Sequence, residues 1–369
     1  MTETPYILHL IKGLGRGGAE TLLLQTLQLH NSNFKFKTIY FLPRKDQLVQ
    51  EIKKISGVEL VNAQNPVLMI LKIPKLIRII RESNASLIHC HLPWSGITGR
   101  IAGWLAGVPV IYTEHNLQER YHWFTRKINL LTIGMNQKVL AVSDQVRESI
   151  LKNKKKSFLV KRIYNGVDTA KFSLNGKVSS VNEKLGFRVP DGGLVVGIVA
   201  VFTPKKRLNI WLQIAFKISQ KFPKTRFLLV GDGPGRKEME IMVKNLGIET
   251  YVFFAGLQQE VKQWLEMMDI FLMTSEFEGL PVALLEAMSM EMAVSVTNVG
   301  GVKEIVNEEN GKAAEPYDYD KILENTLILL ENEELRLQLG KNARKTVIKK
   351  FNLQRMVAEL ESVYKETIQ

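Results

Sequence analysis

A block of residues in the second half of the sequence carries the clearest chemical signal. Glu278 precedes a short turn that leads into a predicted helix with a second carboxylate, Glu286. The free amides of a helix N-terminus favour anions and hydroxyl groups, and a carboxylate among Ala, Leu and Met needs polar partners. Sugar hydroxyl groups are suitable partners. The candidates of this block are Glu278, the turn residues Gly279, Leu280 and Pro281, and Glu286.

Three consecutive cations follow the predicted strand 194–202, namely Lys205, Lys206 and Arg207. Surface lysines are usually only solvated, but open α/β sheets bind ligands at the carboxyl ends of their strands. The position therefore favours a phosphate contact by one or more of these cations. Gly231 begins a glycine-rich turn after the next predicted strand, and we expect it at the rim of the same site.

Residues 13–18 follow the predicted first strand and match the pattern G-x-G-x-x-G. Glycines at this place let backbone amides approach a diphosphate. A dinucleotide site would also need an acidic residue at the end of the second strand, and none occurs there before Asp46. A diphosphate contact without dinucleotide chemistry is therefore favoured over an NAD site or a purely structural turn. The candidate contacts are Gly15, Gly17 and Gly18.

Two consecutive predicted strands end in histidine-bearing segments, residues 89–91 and 113–116. Both strand ends should face the same ligand-binding edge. His115 is the candidate for a hydrogen-bonding or electrostatic role, although a structural histidine also fits the pattern.

The sequence does not indicate a metal centre. His89 and His91 have a spacing that suits few zinc sites, and no H-E-x-x-H motif accompanies them. Asp318 and Asp320 form a D-x-D triplet, but they precede a predicted helix, where acidic residues act as N-terminal caps. Cys90 is the single cysteine, so neither an internal disulfide nor an all-cysteine zinc site can form.

Alternating strands and helices must bring these residues together. Short runs of β-branched or aromatic residues alternate with helical patterns in two series, over residues 6–151 and 194–297. This alternation predicts two α/β domains, each with a parallel sheet built from βαβ units, and 369 residues are enough for two. The stretch 168–193 is rich in Gly, Ser, Asn and Lys and is the best linker candidate. We therefore place the domains at 1–173 and 174–352.

Positive charge is concentrated in the first half of the chain. Residues 1–165 contain 24 basic and 10 acidic residues, whereas residues 166–369 contain 26 and 27. This asymmetry favours an anionic partner, but aromatic residues do not interleave with a basic face as in nucleic-acid binders. Segment 72–81 has cations every three residues among aliphatic ones, which is typical of a membrane-surface helix and equally of a core helix with a basic edge. We find no secretory signal and no apolar run of about 18 residues, so any membrane contact should be peripheral.

Together the motifs resemble those of glycosyltransferase family four, the retaining, nucleotide-sugar-dependent enzymes with the GT-B fold. The resemblance covers nearly the whole chain and rests on residues 13–20 (GLGRGGAE), 89–91 (HCH), 113–116 (TEHN), 165–168 (NGVD), 230–234 (VGDGP), 278–288 (EGLPVALLEAM) and 299–306 (VGGVKEIV). It implies an α/β fold of two Rossmann-like domains whose parallel sheets face a central cleft. It also implies that the final helix, 353–369, crosses back to the first domain.

The resemblance further implies roles for individual residues. Lys206 would hold the donor diphosphate, Glu278 would bind the hydroxyl groups of the transferred sugar, and His115 would meet that sugar. Glu286 would hold the nucleotide ribose. The other expected donor contacts are Gly15, Gly17, Gly18, Gly231, Gly279, Leu280, Pro281 and Leu285. The residues expected on the acceptor side are Arg16, His91 and Asn116.

The activity implied is transfer of a hexose from a nucleotide sugar, with UDP favoured over GDP, to a glycan or lipid-linked glycan. No metal or cofactor is expected, and the setting would be polysaccharide or glycoconjugate biosynthesis in the cytoplasm, with contact to the inner face of the membrane. Val201 stands where the family usually has an arginine, and residues 289–293 lack its usual Ala-x-Gly-x-Pro. The alternatives are a nucleotide-sugar epimerase and an inactive sugar-binding homologue, the latter supported by Val201 alone.

Overall fold

The computed structural model describes residues 4–30, 33–153, 159–174 and 187–368. The chain divides into two compact units, residues 1–166 together with 353–369, and residues 167–352. The second unit begins earlier than position 174 because the chain after Gly166 already bonds to it. Val167 N donates to Phe351 O at 2.8 Å, and Ser289 Oγ donates to Phe172 O at 2.6 Å. Residues 175–186 of the expected linker lie outside the described residues.

The first unit contains a seven-stranded parallel sheet with the order β3-β2-β1-β4-β5-β6-β7. Its strands are β1 (Tyr6–Ile11), β2 (Lys35–Tyr40), β3 (Gly57–Leu60), β4 (Leu87–His91), β5 (Val110–Glu114), β6 (Lys138–Ala141) and β7 (Val160–Arg162). The helices between them are α1 (Gly18–Leu29), α2 (Val49–Lys53), α3 (Pro66–Leu71), α4 (Ile73–Glu82), α5 (Pro93–Ala106), α6 (Trp123–Thr132) and α7 (Asp144–Asn153). The order reverses between β1 and β4, as in Rossmann-like folds.

The second unit repeats this plan with a six-stranded parallel sheet of order β10-β9-β8-β11-β12-β13. Its strands are β8 (Val195–Val199), β9 (Arg226–Val230), β10 (Val252–Gly256), β11 (Ile270–Met273), β12 (Ala293–Thr297) and β13 (Lys312–Ala314). Its helices are α8 (Leu208–Lys221), α9 (Arg236–Asn245), α10 (Lys262–Leu265), α11 (Val282–Ser289), α12 (Val302–Ile305), α13 (Tyr319–Glu331) and α14 (Glu333–Lys350). The expected α/β class with two parallel sheets is confirmed.

Central strands such as β8 and β11 are apolar without alternation because helices cover both faces of the sheet. In β8, for example, four of the five residues are buried. Such a strand leaves little room for polar side chains along its length. Polar groups therefore collect at the strand ends, where the sheets can bind ligands.

The final helix, α15 (Leu353–Ile368), belongs to the first unit. Its apolar face joins the core cluster that contains Ile7 and Leu87 from two central strands. Tyr364 is fully buried in this cluster, and its hydroxyl group lies 2.7 Å from Nδ1 of His89. The helix thus completes the core of the first unit.

Helix α4 shows that segment 72–81 is a core helix with a basic edge. The buried side chains are Ile73, Leu76, Ile79 and Ile80. Since this apolar face packs inside the unit, it is not available to a lipid surface. No helix within the described parts of the chain combines the length and apolar character needed to cross a membrane.

We predict that Tyr364→Ala lowers the free energy of unfolding by about 3–5 kcal/mol, because it opens a cavity and removes the hydrogen-bond partner of His89. Urea unfolding followed by circular dichroism measures the change. The neighbouring exposed substitution Lys365→Ala should change it by less than about 0.5 kcal/mol. Equal stability of the Tyr364→Ala variant and the unaltered protein would contradict the docking of α15.

Candidate functional site

The predicted site of the second unit lies where the strand order of its sheet reverses. Lys206 follows β8 and Glu278 follows β11, and these strands are neighbours. Open α/β sheets bind ligands at such switch points. The fold thus brings together two candidates that are far apart in sequence, and Lys206 Nζ donates to Glu278 Oε1 at 2.5 Å.

Glu278 is a buried carboxylate that two ammonium groups hold ionised. The residue is 5% exposed, and Lys205 Nζ lies 3.6 Å from its Oε2 atom. Burial would raise the pKa of Glu278, but the charges of Lys206 and Lys205 outweigh this effect and lower the pKa to about 2. Two cations and one anion leave a net positive charge, which suits an anionic ligand.

Hydrogen bonds between two loops fix the position of Lys206. Glu276 N donates to Lys205 O at 2.7 Å, and Thr274 Oγ1 donates to the carbonyl groups of Lys206 and Arg207, at 3.1 Å each. Arg207 has a left-handed φ of 50°, which is uncommon for a non-glycine residue, and its guanidinium group pairs with Glu276 at 3.0 Å. The loop after β8 is therefore built around the loop after β11.

Two glycines beside the site are required by close backbone contacts. At Gly231, with φ of 126°, a Cβ atom would lie 1.9 Å from Ala200 O. At Gly300, with φ of 58°, it would lie 1.7 Å from Glu278 O. Gly231 thus packs against the end of β8. Gly300 positions the backbone of Glu278, a role that the sequence analysis missed because the contact links two separate loops.

The turn before α11 presents backbone groups rather than side chains. Pro281 precedes the first turn of the helix, and in the described part of the chain no side chain caps that end. Leu280 is 4% exposed and Leu285 is fully buried, so both side chains belong to the core. Gly301 N donates to Gly279 O at 2.9 Å and holds the turn. The first amides of α11 are consequently suited to an anion or a hydroxyl group.

Glu286 differs from Glu278 in its protonation. It is 6% exposed, and burial raises its pKa to about 8, although the charge of Lys171 lowers it somewhat. A carboxyl group that is protonated at neutral pH can donate as well as accept a hydrogen bond. Glu286 is therefore suited to a partner with hydroxyl groups.

In the first unit, the glycine loop is anchored to the segment after β2. Leu14 N donates to Lys45 O at 2.7 Å, and Leu48 N donates to Leu14 O at 2.9 Å. The loop runs into α1, where Gly17 occupies the N-cap position without a side-chain cap. Arg16, a candidate on the acceptor side, forms a 2.5 Å ion pair with Glu51 of α2. The loop also contains the candidates Gly15 and Gly18.

Four of the six histidines of the chain meet in the first unit. His9 Nδ1 lies 3.1 Å from His91 Nε2, and His91 Nδ1 lies 3.4 Å from His115 Nε2. The His89 ring is 4.2 Å from the His91 ring. His115 and His91 are thus brought together as predicted from their strand ends. His9 was not predicted, although it is the register partner of His89 in the neighbouring strand.

Burial keeps these imidazole groups neutral. It lowers the pKa of His9 to about 3 and that of His115 to about 4, and the pKa values of His89 and His91 fall well below the ordinary range for the same first reason. A neutral imidazole has one donor and one acceptor nitrogen. The proton positions along His115, His91 and His9 are therefore linked.

His9, His89 and His91 each offer a ring nitrogen within 4.8 Å of the others. Both ring nitrogens of His89 are nevertheless engaged, with Thr113 Oγ1 and Tyr364 OH at 2.7 Å each. A metal ion would have to displace one of these partners. The hydrogen-bonded arrangement accounts for His89 without a metal.

The loop that carries His115 and Asn116 is held by Glu114, which is fully buried. Its carboxylate accepts hydrogen bonds from the backbone amides of His115 and Asn116, at 3.0 and 3.3 Å, and from the hydroxyl groups of Tyr112 and Tyr121. Burial raises the pKa of Glu114, and these donors partly offset the rise. Glu114 was not predicted as a site residue, although a carboxylate in an apolar strand was an available signal.

The D-x-D triplet caps a helix, as predicted. Asp318 Oδ1 accepts a hydrogen bond from Lys321 N at 3.0 Å at the start of α13. Asp320 pairs with Lys217 at 3.3 Å.

The sequence matches two family models that together span most of the chain. Residues 6–171 match the model described as Glycosyltransferase Family 4, and residues 183–346 match the model described as Glycosyl transferases group 1. The break between the two matches, residues 172–182, lies within the predicted linker 168–193.

Several characterised proteins resemble the chain over most of its length. The UDP-Gal:alpha-D-GlcNAc-diphosphoundecaprenol alpha-1,3-galactosyltransferase of Escherichia coli is 25% identical over 78% of this chain and 77% of its own. The N-acetyl-alpha-D-glucosaminyl L-malate synthase of Bacillus anthracis is 27% identical, with coverage of 80% and 78%. The crystal structure of Anabaena HepE with UDP and glucose has a TM-score of 0.86 at 21% identity and covers 97% of this chain and 99% of its own. This chain and HepE share the GT-B fold.

We predict that Gly300→Ala destabilises the protein by at least about 1 kcal/mol more than Gly247→Ala. Gly247 is a matched control because it has a similar φ of 65°, whereas a Cβ atom there meets nothing within 4 Å. The difference therefore isolates the contact with Glu278 O. Thermal unfolding of both variants measures it, and equal losses would contradict the proposed close approach.

We predict that His9 and His115 stay neutral down to about pH 5. Because their folded-state pKa values lie below the unfolded-state value near 6.5, they stabilise the fold above that pH, and the contribution is lost as the pH falls through the folded-state values. Titration of the ring resonances by NMR measures the midpoints. A midpoint above pH 6 for either ring would show that it is not buried as described.

Proposed function

This chain belongs to the group 1 glycosyltransferases of glycosyltransferase family 4, and we propose that it transfers a hexose from a nucleotide sugar to a glycan or lipid-linked glycan. We propose retention of the anomeric configuration, which is the outcome that the family sets. The observation that carries the donor assignment is the Lys206–Glu278 pair at the switch point of the second sheet. The pathway we propose is polysaccharide or glycoconjugate biosynthesis.

Lys206 is the proposed electrostatic catalyst. Negative charge develops on the departing diphosphate as the bond to the sugar breaks through an oxocarbenium-like transition state. A fixed cation at that place stabilises the transition state without reorganisation. Lys205 adds a second positive charge, and its Nζ atom lies 3.6 Å from Oε2 of Glu278. Because these cations supply the charge, the proposed reaction uses neither a metal ion nor a cofactor.

Glu278 has two proposed roles. Its carboxylate holds Lys206 in place, and with the amides of Gly279 and Leu280 it binds the hydroxyl groups of the transferred sugar. Glu286, which is protonated at neutral pH, is proposed to bind the ribose hydroxyl groups. Gly231, close to the end of β8, is proposed to let the donor approach the backbone.

The first unit is proposed to supply the remaining contacts. Gly15, Gly17 and Gly18 approach the diphosphate, and neutral His115 contacts the sugar. Arg16, His91 and Asn116 are the proposed acceptor side. Glu114 is a positioning residue for His115, since it binds the His115 amide directly.

UDP is the proposed nucleotide, with GDP as the second choice. The choice is supported by the UDP bound to HepE and by the UDP-galactose named for the Escherichia coli relative. The acceptor of that relative is attached to diphosphoundecaprenol, which supports a lipid-linked acceptor here. We accordingly propose a cytoplasmic enzyme in peripheral contact with the inner face of the membrane.

We predict that Lys206→Met lowers kcat by about 10²–10³. The donor is the best binder from a panel of nucleotide sugars in a thermal-shift assay, and nucleotide release in the presence of acceptor measures turnover. The exposed helix residue Lys217 supplies the control Lys217→Met, which should leave kcat unchanged. Full activity of the Lys206→Met variant would contradict the proposed role.

The same assay separates the alternatives. A nucleotide-sugar epimerase would convert the donor without an acceptor, and an inactive homologue would bind the donor without any turnover. The anomeric coupling constant of the product, measured by NMR, tests retention. An inverted product would overturn that part of the proposal.

A further inference from the structure

The short helix α3 exposes most of its aliphatic side chains. Val67 and Leu71 are each 66% exposed, Ile70 is 41% exposed and Leu68 is 38% exposed, whereas Met69 is fully buried. Scattered exposed aliphatic residues are ordinary, but a contiguous group of them marks an interaction surface. Met69 therefore anchors the helix to the unit, whereas Val67 and Leu71 keep about two thirds of their surface in solvent.

A basic edge directly follows this helix along the chain. Lys72 lies between the two helices as the C-cap of α3 and the N-cap of α4, and the cations within α4 are Lys75, Arg78 and Arg81. Lys75 lies 3.7 Å from Glu59, and Arg78 lies 3.7 Å from Glu82. Residues 66–82 hold four cations and one acid, so the edge keeps a positive charge.

The exposed part of α3 and the cations of α4 together form what we call the α3–α4 surface. The aliphatic side chains of this surface match the acyl chains of an anionic bilayer. Its lysine and arginine side chains match the phosphate headgroups. A lysine at the boundary can keep its ammonium group among the headgroups while its stem lies against apolar atoms. The basic excess of residues 1–165 attracts the same partner over a longer range.

We propose that the α3–α4 surface docks on an anionic lipid bilayer. The side chains of Val67, Leu68, Ile70 and Leu71 enter the boundary between headgroups and acyl chains, and the cations of α4 contact lipid phosphates. The docking element is thus α3, since the apolar face of α4 is buried. This inference rests on the membrane contact of the proposed function but not on its chemistry.

A fluorescent label can test the insertion at one position. Cys90 is fully buried, and burial raises the pKa of its thiol to about 12, so a maleimide reagent should modify only a cysteine introduced at the surface. A polarity-sensitive label on Leu71→Cys should shift to the blue with vesicles of phosphatidylcholine and phosphatidylglycerol. The same label on Leu337→Cys, 53% exposed in the second unit, should not shift. Equal responses, or none, would overturn the insertion of α3.

Vesicle sedimentation measures the contributions of the aliphatic and basic groups. The double variant Val67→Asn/Leu71→Asn should bind anionic vesicles at least about tenfold more weakly, whereas Ile241→Asn/Leu337→Asn, which changes exposed aliphatic residues elsewhere, should bind as the unaltered protein does. Lys72→Gln should weaken binding about fivefold. Unchanged binding of the double variant, or equal binding to pure phosphatidylcholine vesicles, would overturn the proposal.

Two further measurements distinguish membrane docking from catalysis and from self-association. Turnover with a water-soluble acceptor should be the same for the double variant and the unaltered protein, so that loss of docking and loss of catalysis are seen independently. Sedimentation velocity should give the same oligomeric state for the double variant and the unaltered protein. If the unaltered protein self-associates and the double variant does not, the α3–α4 surface joins two copies of the chain and the membrane proposal is wrong.

Discussion

The buried carboxylate of Glu278 is the constraint on which the second unit depends. A carboxylate that is 5% exposed must have cationic partners or lose its charge. Lys206 and Lys205 supply them, and this requires the loops after β8 and β11 to meet. The contact between these loops requires a left-handed backbone conformation at Arg207 and a residue without a Cβ atom at Gly300. The site therefore combines paired charges with two loops that are hydrogen-bonded to each other.

The two units use the same sheet order for different electrostatics. At the edge of the second sheet, paired ions leave a net positive charge around Glu278. In the first unit, burial removes charge from His91 and His115, so that these two side chains offer neutral hydrogen-bonding groups. The net positive charge around Glu278 suits an anionic ligand, and the neutral imidazole groups of His91 and His115 suit uncharged hydroxyl groups.

The features of the structure that strand ends and local motifs determine were predictable from the sequence. The parallel sheets followed from the alternation of strands and helices. Lys206 was a candidate because it lies among cations after a strand, and Glu278 was one because it precedes a turn into a helix. The contact between Gly300 and Glu278 O was not predictable, because it links loops whose approach only the packed sheet defines. Segment 72–81 was ambiguous for a different reason. A buried helix and a membrane helix have the same spacing, and only packing shows that α4 is buried while α3 is exposed.

A crystal structure of the protein with an unhydrolysable UDP-sugar tests the central claim most directly. The account predicts the diphosphate within hydrogen-bonding distance of Lys206 Nζ and a sugar hydroxyl group on the carboxylate of Glu278. It also predicts that Lys206 Nζ and Glu278 Oε1 stay within hydrogen-bonding distance of each other, as in the present structure, where they are 2.5 Å apart. A nucleotide bound away from the switch point between β8 and β11 would contradict it.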